Sequence, residues 1–318
     1  MKLQGLRALL AIVEHGSFSE AALELGTSQS TVSYAIAELE QELGVKLLDR
    51  GRFGAVATPV GERVAAHARA VEGSLAAIGQ EASLDRGDLH GELRVSSFRS
   101  LAVHVLAPAM SELKASHPGL RIDLREVSSR ARNQLADLHA GRVDVALTMS
   151  ALAQDAIYWE LFRDEYVAVV PDGMVPEAGA LLQDLIERPT LVSNGPCSWP
   201  VRDALLAIDP AFRPTMEIAE DSTMLALAGR GIGVALMPRL TVDAVPAGTQ
   251  VIRLEPNLDR SLGVALLPGA LKVPAVRVFL AKLKQMFPTS DVPELGSDSI
   301  AGSATKLEQN FAPPEAVF

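Results

Sequence analysis

Positions 28 to 34 read Ser28, Gln29, Ser30, Thr31, Val32, Ser33, Tyr34. Short hydroxyl and amide side chains of this kind suit the reading of nucleic-acid base edges. Gln29 can pair with adenine through two hydrogen bonds, Ser30 and Ser33 can bond bases or phosphates, and the Thr31 methyl can touch a thymine methyl. Arg50 and Arg52 flank a glycine further on and suit phosphate. A second group of hydroxyls falls where strand runs end: Ser100 beside Phe98 and Arg99, then Ser129, then Thr148. Ser222 and Thr223 open a helical pattern later in the chain. A helix start beside a strand end leaves N–H groups that suit a small anion, and Arg99 suits a carboxylate. Each serine can also be a plain helix cap; their convergence at one edge is what points to a site. Cys197, the one cysteine, stands between a strand run and a helix, a place that can lower a thiol pKa.

These residues need elements to hold them. Leu3, Leu6, Leu10 and Val13 mark one face of a first helix, Leu3 to Glu14. Ser17 or Ser19 can cap a second helix that buries Ala21, Ala22 and Leu25 and stops at Gly26. Ser28 can cap a third, which buries Val32, Ala35, Ile36, Leu39 and Leu43, while Glu38, Glu40 and Glu42 are expected on its solvated face. Two helices joined by a short Gly-containing turn form the pattern of a DNA-reading pair. After Gly44, VKLLDRGRFGAVATP has the length and glycines of a two-stranded wing, with Arg50 and Arg52 near its tip. Thr58 and Pro59 then open one long helix over 59–88, striped by Val60, Val64, Ala68, Val71, Leu75, Ile78 and Ala82. Residues 89–288 alternate strand runs (ELRVSSF, LRIDLREV, VDVALTM, YVAVVP, TLVSN, GVALMP, LGVALLP) with helical patterns at 101–116, 130–140, 200–207 and 222–230. That alternation predicts parallel, doubly wound sheets with a ligand crevice at the strand carboxyl ends. Residues 289–318 are rich in Pro, Ser and Gly and are expected to form a flexible tail.

The stretch SFSEAALELGTSQSTVSYAIAELEQELGVKLLDRGRFGAVATPVGE resembles, without a gap, the N-terminal signature of LysR-type transcriptional regulators. GELRVSSFRSLAVHVLAPAMSELKASHPGLRIDLREV, GRVDVALTMS and LAGRGIGVALMPRL are similar to parts of that family's effector domain. The resemblance covers about residues 2–287. It implies a winged helix-turn-helix over 1–58, a linker and dimerisation helix over 59–88, and an effector domain over 89–288 of periplasmic-binding-protein-like (type 2) fold. Within that domain it implies a first subdomain of about 89–162 and 265–288 and a second of about 163–264. The implied partners are a pseudo-palindromic double-stranded DNA site, a small-molecule effector, a second copy in a dimer or tetramer, and RNA polymerase. The hydroxyl matching Ser100 lines the inducer site in the family. The family places an arginine where this chain has Tyr34. Peroxide-sensing members carry a reactive cysteine in the region of Cys197, so redox sensing is the alternative function. Pro196 and Ser198 replace the histidine neighbour of that branch, and no second cysteine is present to resolve a sulfenic acid.

Composition first argues against nucleic acid, since 318 residues carry a net charge of −10. Residues 1–60 hold five basic residues against seven acidic ones, and Ser28 to Gly44 contains no Lys or Arg. The total therefore narrows the kind of DNA binding expected to one with few ionic contacts and a shallow salt dependence. GxSxG, P-loop and HExxH motifs are absent, Gly229, Gly231 and Gly233 give only GxGxG, and the six histidines lack ligand spacing. Neither catalysis, a metal nor a cofactor is expected. A transport solute-binding protein would account for 89–288 but not for the first 58 residues or the missing signal peptide. No apolar run reaches the roughly 18 residues of a membrane span, so a cytoplasmic protein is expected.

Overall fold

The N-terminal residues fold around a cluster of Leu9, Ile12, Ile36 and Leu47, all fully buried. In the computed structural model, which describes residues 1–51, 54–127, 134–173 and 180–288, three helices supply it. They are α1 (Leu3–His15), α2 (Phe18–Glu24) and α3 (Gln29–Leu43). Ser17 Oγ accepts the Glu20 N–H at 3.4 Å and Ser28 Oγ the Thr31 N–H at 3.1 Å, so both hydroxyls cap as their positions suggested. Strands β1 (Leu48–Gly51) and β2 (Gly54–Ala57) pair antiparallel as the wing. Arg52, Ser129 and the expected tail 289–318 lie outside the described residues.

Helix α4 (Pro59–Asp85) begins with Thr58 Oγ1 accepting the Gly61 N–H at 3.0 Å and Pro59 in its first turn. It lies so close to the wing that a Cβ on Gly61 would stand 2.0 Å from the Leu47 carbonyl oxygen. The apolar stripe seen in the sequence divides by contact. Ala65 and Ala68 are buried against the N-terminal cluster, whereas Val71, Leu75 and Ile78 are exposed. Farther along, buried Gln80 donates to the Glu92 carbonyl at 3.3 Å and accepts the Ala275 N–H at 3.0 Å, docking α4 on the second domain.

That domain starts with β3 (Gly91–Phe98), a turn α5 (Arg99–Leu101), a π-helical turn Ala102–Leu106, and α6 (Ala107–Ser116). Next come β4 (Leu120–Val127), α7 (Gln134–His139) and β5 (Val145–Met149). The long strand β6 (Ile157–Pro171) then leaves for the second half. There β7 (Ala180–Leu181), α8 (Leu182–Leu185), β8 (Thr190–Ser193) and α9 (Trp199–Ile208) are followed by β9 (Met216–Ile218) and α10 (Asp221–Ala228). Strands β10 (Val234–Pro238) and β11 (Thr249–Glu255) precede β12 (Asp259–Leu266), which returns to the first half, and α11 (Pro274–Met286) closes it.

The described strands run in the order β4-β3-β5-β12-β6-β10-β8-β9, with β11 beside β6 and β7 beside β11. Pairs within β4-β3-β5 and β10-β8-β9 are parallel, as expected. The all-parallel reading fails at β12 and β6, which are antiparallel to each other, and β10 and β11 are antiparallel to β6. The reason is topological: one strand leaves for the second half and the other comes back, so neighbours at the crossing must run in opposite senses. Asp164 and Arg260 face each other across that crossing. Leu262–Ala265 already pair with β5, so the expected division at 264/265 falls inside β12.

Candidate functional site

Two clusters of candidate residues emerge, one at each end of the chain. At the first, Ser28, Gln29, Ser30 and Tyr34 are exposed on the opening turns of α3, and Thr31 and Ser33 are half-buried. The Ser28 hydroxyl lies 2.8 Å from both the Ser30 and Thr31 hydroxyls, while Ser19 donates to Gln29 Oε1 at 3.4 Å. Tyr34 is 69% exposed, so it projects from the helix rather than wedging the core. Arg50, from the wing, sits 4.7 Å over the Phe18 ring and donates to Ser33 Oγ at 3.5 Å. The fold thus brings a wing cation onto the same face as the short polar side chains.

Other described cations of this unit are spent internally. Arg7 forms two hydrogen bonds to Glu72 of α4, at 2.9 and 3.3 Å. Lys2 pairs with Glu38 at 2.5 Å and the Met1 amino group with Glu42. Glu40 corrects the expectation of a solvated acidic face, since it is 6% exposed. Its Oε1 accepts the Leu47 and Leu48 N–H groups at 2.8 and 3.3 Å, and Lys46 reaches Oε2 at 3.1 Å. Burial alone would push this carboxyl up; those N–H groups and Lys46 outweigh it and hold it below the usual range. Glu40 therefore anchors the start of the wing to α3 by accepting its backbone N–H groups.

The second cluster lies where the two halves of the C-terminal domain meet. Arg260 is 3% exposed and donates through Nε and Nη2 to Asp164 Oδ2, at 2.9 and 2.8 Å. Its Nη2 also lies 3.5 Å from Ser100 Oγ, on the first half. Asp164 Oδ1 accepts the Leu240 N–H at 3.1 Å, and burial keeps the Asp164 carboxyl above its ordinary value against the pull of Arg260. Ser100 is buried inside the first helical turn and caps nothing. Arg99 crosses the gap to Asp243 Oδ2 at 2.5 Å, and His104 contacts the Leu240 carbonyl at 3.1 Å.

Cys197 comes from the second half, in a 3-10 turn before α9, yet packs into the apolar cluster of the first half. The Tyr166 hydroxyl donates to its carbonyl oxygen at 2.5 Å. The expected depression of the thiol pKa is reversed: burial pushes the Cys197 thiol up, and Arg260 only partly offsets this. Phe98 is a core residue of the first half. Thr148 is buried in β5, its hydroxyl without a hydrogen-bond partner among the described residues. Ser222 and Thr223 are exposed; Asp221, one residue before them, is the group that feels Arg260 and Arg99.

Asp164, Tyr166, Asp221, Asp243 and Arg260 did not emerge from the sequence as site residues. One signal was available, in that Asp164 and Arg260 are charges standing two residues before strongly apolar strand runs, YVAVVP and LGVALLP. Burial raises the Asp221 carboxyl above its ordinary value, against Arg260 and Arg99 and helped by Glu220 and Asp243. A carboxyl raised on folding costs stability as pH climbs through its unfolded value, about 3.9, and the cost is complete above the folded value. Asp221→Asn is therefore expected to raise the thermal midpoint at neutral pH and to leave it unchanged at pH 3. An equal rise at both pH values would refute this sign.

The order of these two units matches two family profiles. Residues 3–62 match the bacterial regulatory helix-turn-helix protein, lysR family, and residues 86–288 match the LysR substrate binding domain. The chain belongs to the LysR family of transcriptional regulators. It is 38% identical over 290 residues to the probable HTH-type transcriptional regulator LrrA of Synechococcus elongatus, covering 91% of this chain and 98% of that one. It is 30% identical over 295 residues to a probable hydrogen peroxide-inducible genes activator of Streptomyces viridosporus, covering 88% and 92%. Among solved structures, full-length OxyR of Pseudomonas aeruginosa aligns with TM-score 0.74 at 21% identity, over 92% of this chain and 99% of that one. CbnR in complex with its target DNA aligns with TM-score 0.60 at 19% identity, over 90% and 99%. As a LysR regulator the protein combines a DNA-binding helix-turn-helix with an effector-binding domain. Among the described residues no helix is long and apolar enough to cross a membrane, and no His, Cys, Asp or Glu group could hold a metal ion.

Proposed function

We propose that this LysR regulator binds a pseudo-palindromic DNA site as a dimer and is switched by a small molecule held between the two halves of its effector domain. The carrying observation is the meeting of Ser100, Arg260 and Cys197 from three separate stretches of chain at the β6–β12 crossing. A ligand there changes the relative placement of the halves only if it binds one arrangement more tightly than the other. Two α4 helices pair through Val71, Leu75 and Ile78, setting two α3 helices toward successive major grooves. Further association to a tetramer, contact with RNA polymerase and action in the cytoplasm belong to the same proposal, which includes no catalytic step. Ser100→Ala is expected to reduce effector-dependent reporter output at least tenfold; unchanged induction would remove the crevice from the mechanism. Ser129 stands beside it as a candidate from sequence alone.

On the DNA side, base contacts fall to Gln29, Ser30, Thr31, Ser33 and Tyr34, with Ser28 holding the helix start. Phosphate contacts fall to Arg50, Arg52 and the N-termini of the helices. With Lys2, Arg7 and Lys46 already paired, the slope of log affinity against log salt should be shallow. Arg50→Ala should lower affinity for all sequences and flatten that slope by about 0.9 for each phosphate the arginine neutralises. Fluorescence anisotropy across a salt series reads both quantities, and an unchanged slope would place Arg50 off the phosphates.

A further inference from the structure

Between the N-terminal unit, α4 and the first half of the effector domain lies a cleft of about 1000 Å³, edged by Leu10, Glu14, Arg69, Gly73, Arg94 and Arg125. Across such a space one unit senses the other through the side chains that bridge it. At the far end of α4, Gln80 meets the Glu92 carbonyl and the Ala275 N–H, and Arg277 donates to Glu81 at 2.9 Å. Nearer the DNA-binding unit, Arg125 and Glu14 stand 3.9 Å apart, both exposed, a pair of the kind that contributes little. About three turns before Gln80 on the same helix, half-buried Arg69 donates through Nη1 to the Ala140 carbonyl at 3.1 Å. The approach is close there, since a Cβ on Gly141 would stand 3.1 Å from Arg69 Cβ.

Ala140 follows directly on α7, and two arginines take the carbonyls at that end: Arg69 from α4 and, on Gly141 at 2.8 Å, Arg94 from β3. Cations suit the place because the last carbonyls of a helix lack N–H partners and carry the negative end of its dipole. The opposite end of α7 reaches the strands that bound the crevice. There buried Gln134 donates through Nε2 to Ser96 Oγ at 2.9 Å and to the Leu147 carbonyl at 3.1 Å. Leu138, between the two ends, shares a core cluster with Ala146 of β5 and Ala265 of β12. One short helix thus spans from the crevice strands to α4. On α4, Arg69 follows Ala68, which is buried in the N-terminal core. Resting on the crevice reading above, we propose that Arg69 is the positioning residue through which the effector domain acts on the DNA-binding unit. A slide or rotation of α7 begun at the crevice carries the Ala140 carbonyl with it, and Arg69 must follow or lose its hydrogen bond. Ala68 is seated in the N-terminal core, so a displacement of Arg69 is passed on to the unit that reads DNA. Linkage makes the coupling reciprocal, and DNA that fixes the N-terminal unit must in turn alter α7.

That reverse direction supplies the test and needs no effector. The probe is a DNA duplex selected from a random pool by the full-length wild-type protein. Hydrogen–deuterium exchange over residues 134–143 is followed with and without saturating duplex in wild type, Arg69→Gln, Arg69→Met and Arg69→Lys, all full-length. The Ala140, Gly141 and Arg142 N–H groups bond the Ala136, Leu138 and Asp137 carbonyls, so their exchange reports the last turn of α7. In wild type, duplex binding should change that exchange by about threefold or more. Arg69→Gln should lose the change while binding the duplex nearly as well as wild type. Arg69→Met, which keeps an apolar stem beside Gly141 and has no donor, should do the same. Arg69→Lys should retain the change, because its ammonium can still donate to the carbonyl. An α7 indifferent to DNA in wild type would overturn the proposal. So would a change that survives in both Arg69→Gln and Arg69→Met, or one that Arg69→Lys fails to keep. Each of these outcomes bears on Arg69 alone, and the crevice reading stands or falls separately on induction in Ser100→Ala.

Discussion

Asp164→Ala should destabilise the effector domain by about 3–5 kcal/mol, the usual result of leaving one partner of a buried ion pair behind. Arg260 is 3% exposed and its ordered guanidinium hydrogen bonds go chiefly to Asp164. Arginine cannot shed its charge, so the truncated protein must either bury a bare guanidinium or open the crossing to water. The Leu240 N–H is deprived of its acceptor in the same step. The double replacement Asp164→Leu with Arg260→Met should recover most of the stability, because it removes both charges and fills the space with apolar atoms. Urea denaturation of the full chain measures both. If the double replacement were as damaging as the single one, the cost would come from altered shape at the crossing rather than from an orphaned charge.

Leu75→Glu should turn the dimer into a monomer and lower affinity for the specific DNA site by about a thousandfold or more. Val71, Leu75 and Ile78 follow one another at helical spacing and are 40%, 41% and 67% exposed, while the faces of α4 beside them are covered by the two domains of the same chain. Burying the part of each side chain still exposed against a second copy is worth about 0.5–2 kcal/mol apiece. A two-fold axis would bring the introduced carboxylates near each other in an apolar seam, so the substitution both removes apolar packing and adds repulsion. A monomer keeps a single recognition helix and should bind at about the non-specific level, roughly 10⁻⁴–10⁻⁶ M, instead of the 10⁻⁸–10⁻¹¹ M typical of specific sites. Sedimentation gives the assembly state and anisotropy the affinity. A Leu75→Glu protein that remained dimeric would move the interface off this face.

Much of the N-terminal unit was legible because its determinants are local. Ser17, Ser28 and Thr58 each cap a donor three residues on, and Pro59 fits a first helical turn without needing an N–H. The first half of β6 was not legible. Residues Glu160, Arg163, Asp164 and Glu165 break the apolar run there, yet the strand continues through them because Arg163, Asp164 and Glu165 find partners on β12 and β11, and Glu160 pairs with Arg163 along the strand. Strands β7, β9 and β11 were missed as well; β7 and β9 are short, and β11 has charged and polar residues on its outer face.

The candidate sites divide along the same line. The polar face of α3 and the wing arginine were readable, since exposure of short side chains at a helix start follows from the helix period alone. Glu40 looked like its neighbours Glu38 and Glu42, and only the fold showed that it faces the Leu47 and Leu48 N–H groups. Ser100 was found for its position at a strand end, while its partner Arg260 stands 160 residues away.

The amino-acid sequence by itself determined that the third helix would open with short polar side chains rather than basic ones, and that a strand-and-helix domain would follow a long helix. Those properties rest on caps, periods and turns set by residues a few positions apart. Which charges are free and which are spent was decided only by the tertiary structure. Arg7 and Glu72 lie 65 residues apart, Asp164 and Arg260 96, and Arg99 and Asp243 144. A net charge of −10 says how many acids exceed bases; only folding selects the carboxylates that go without a hydrogen bond or ion pair, and among the described residues Asp221 is one of them.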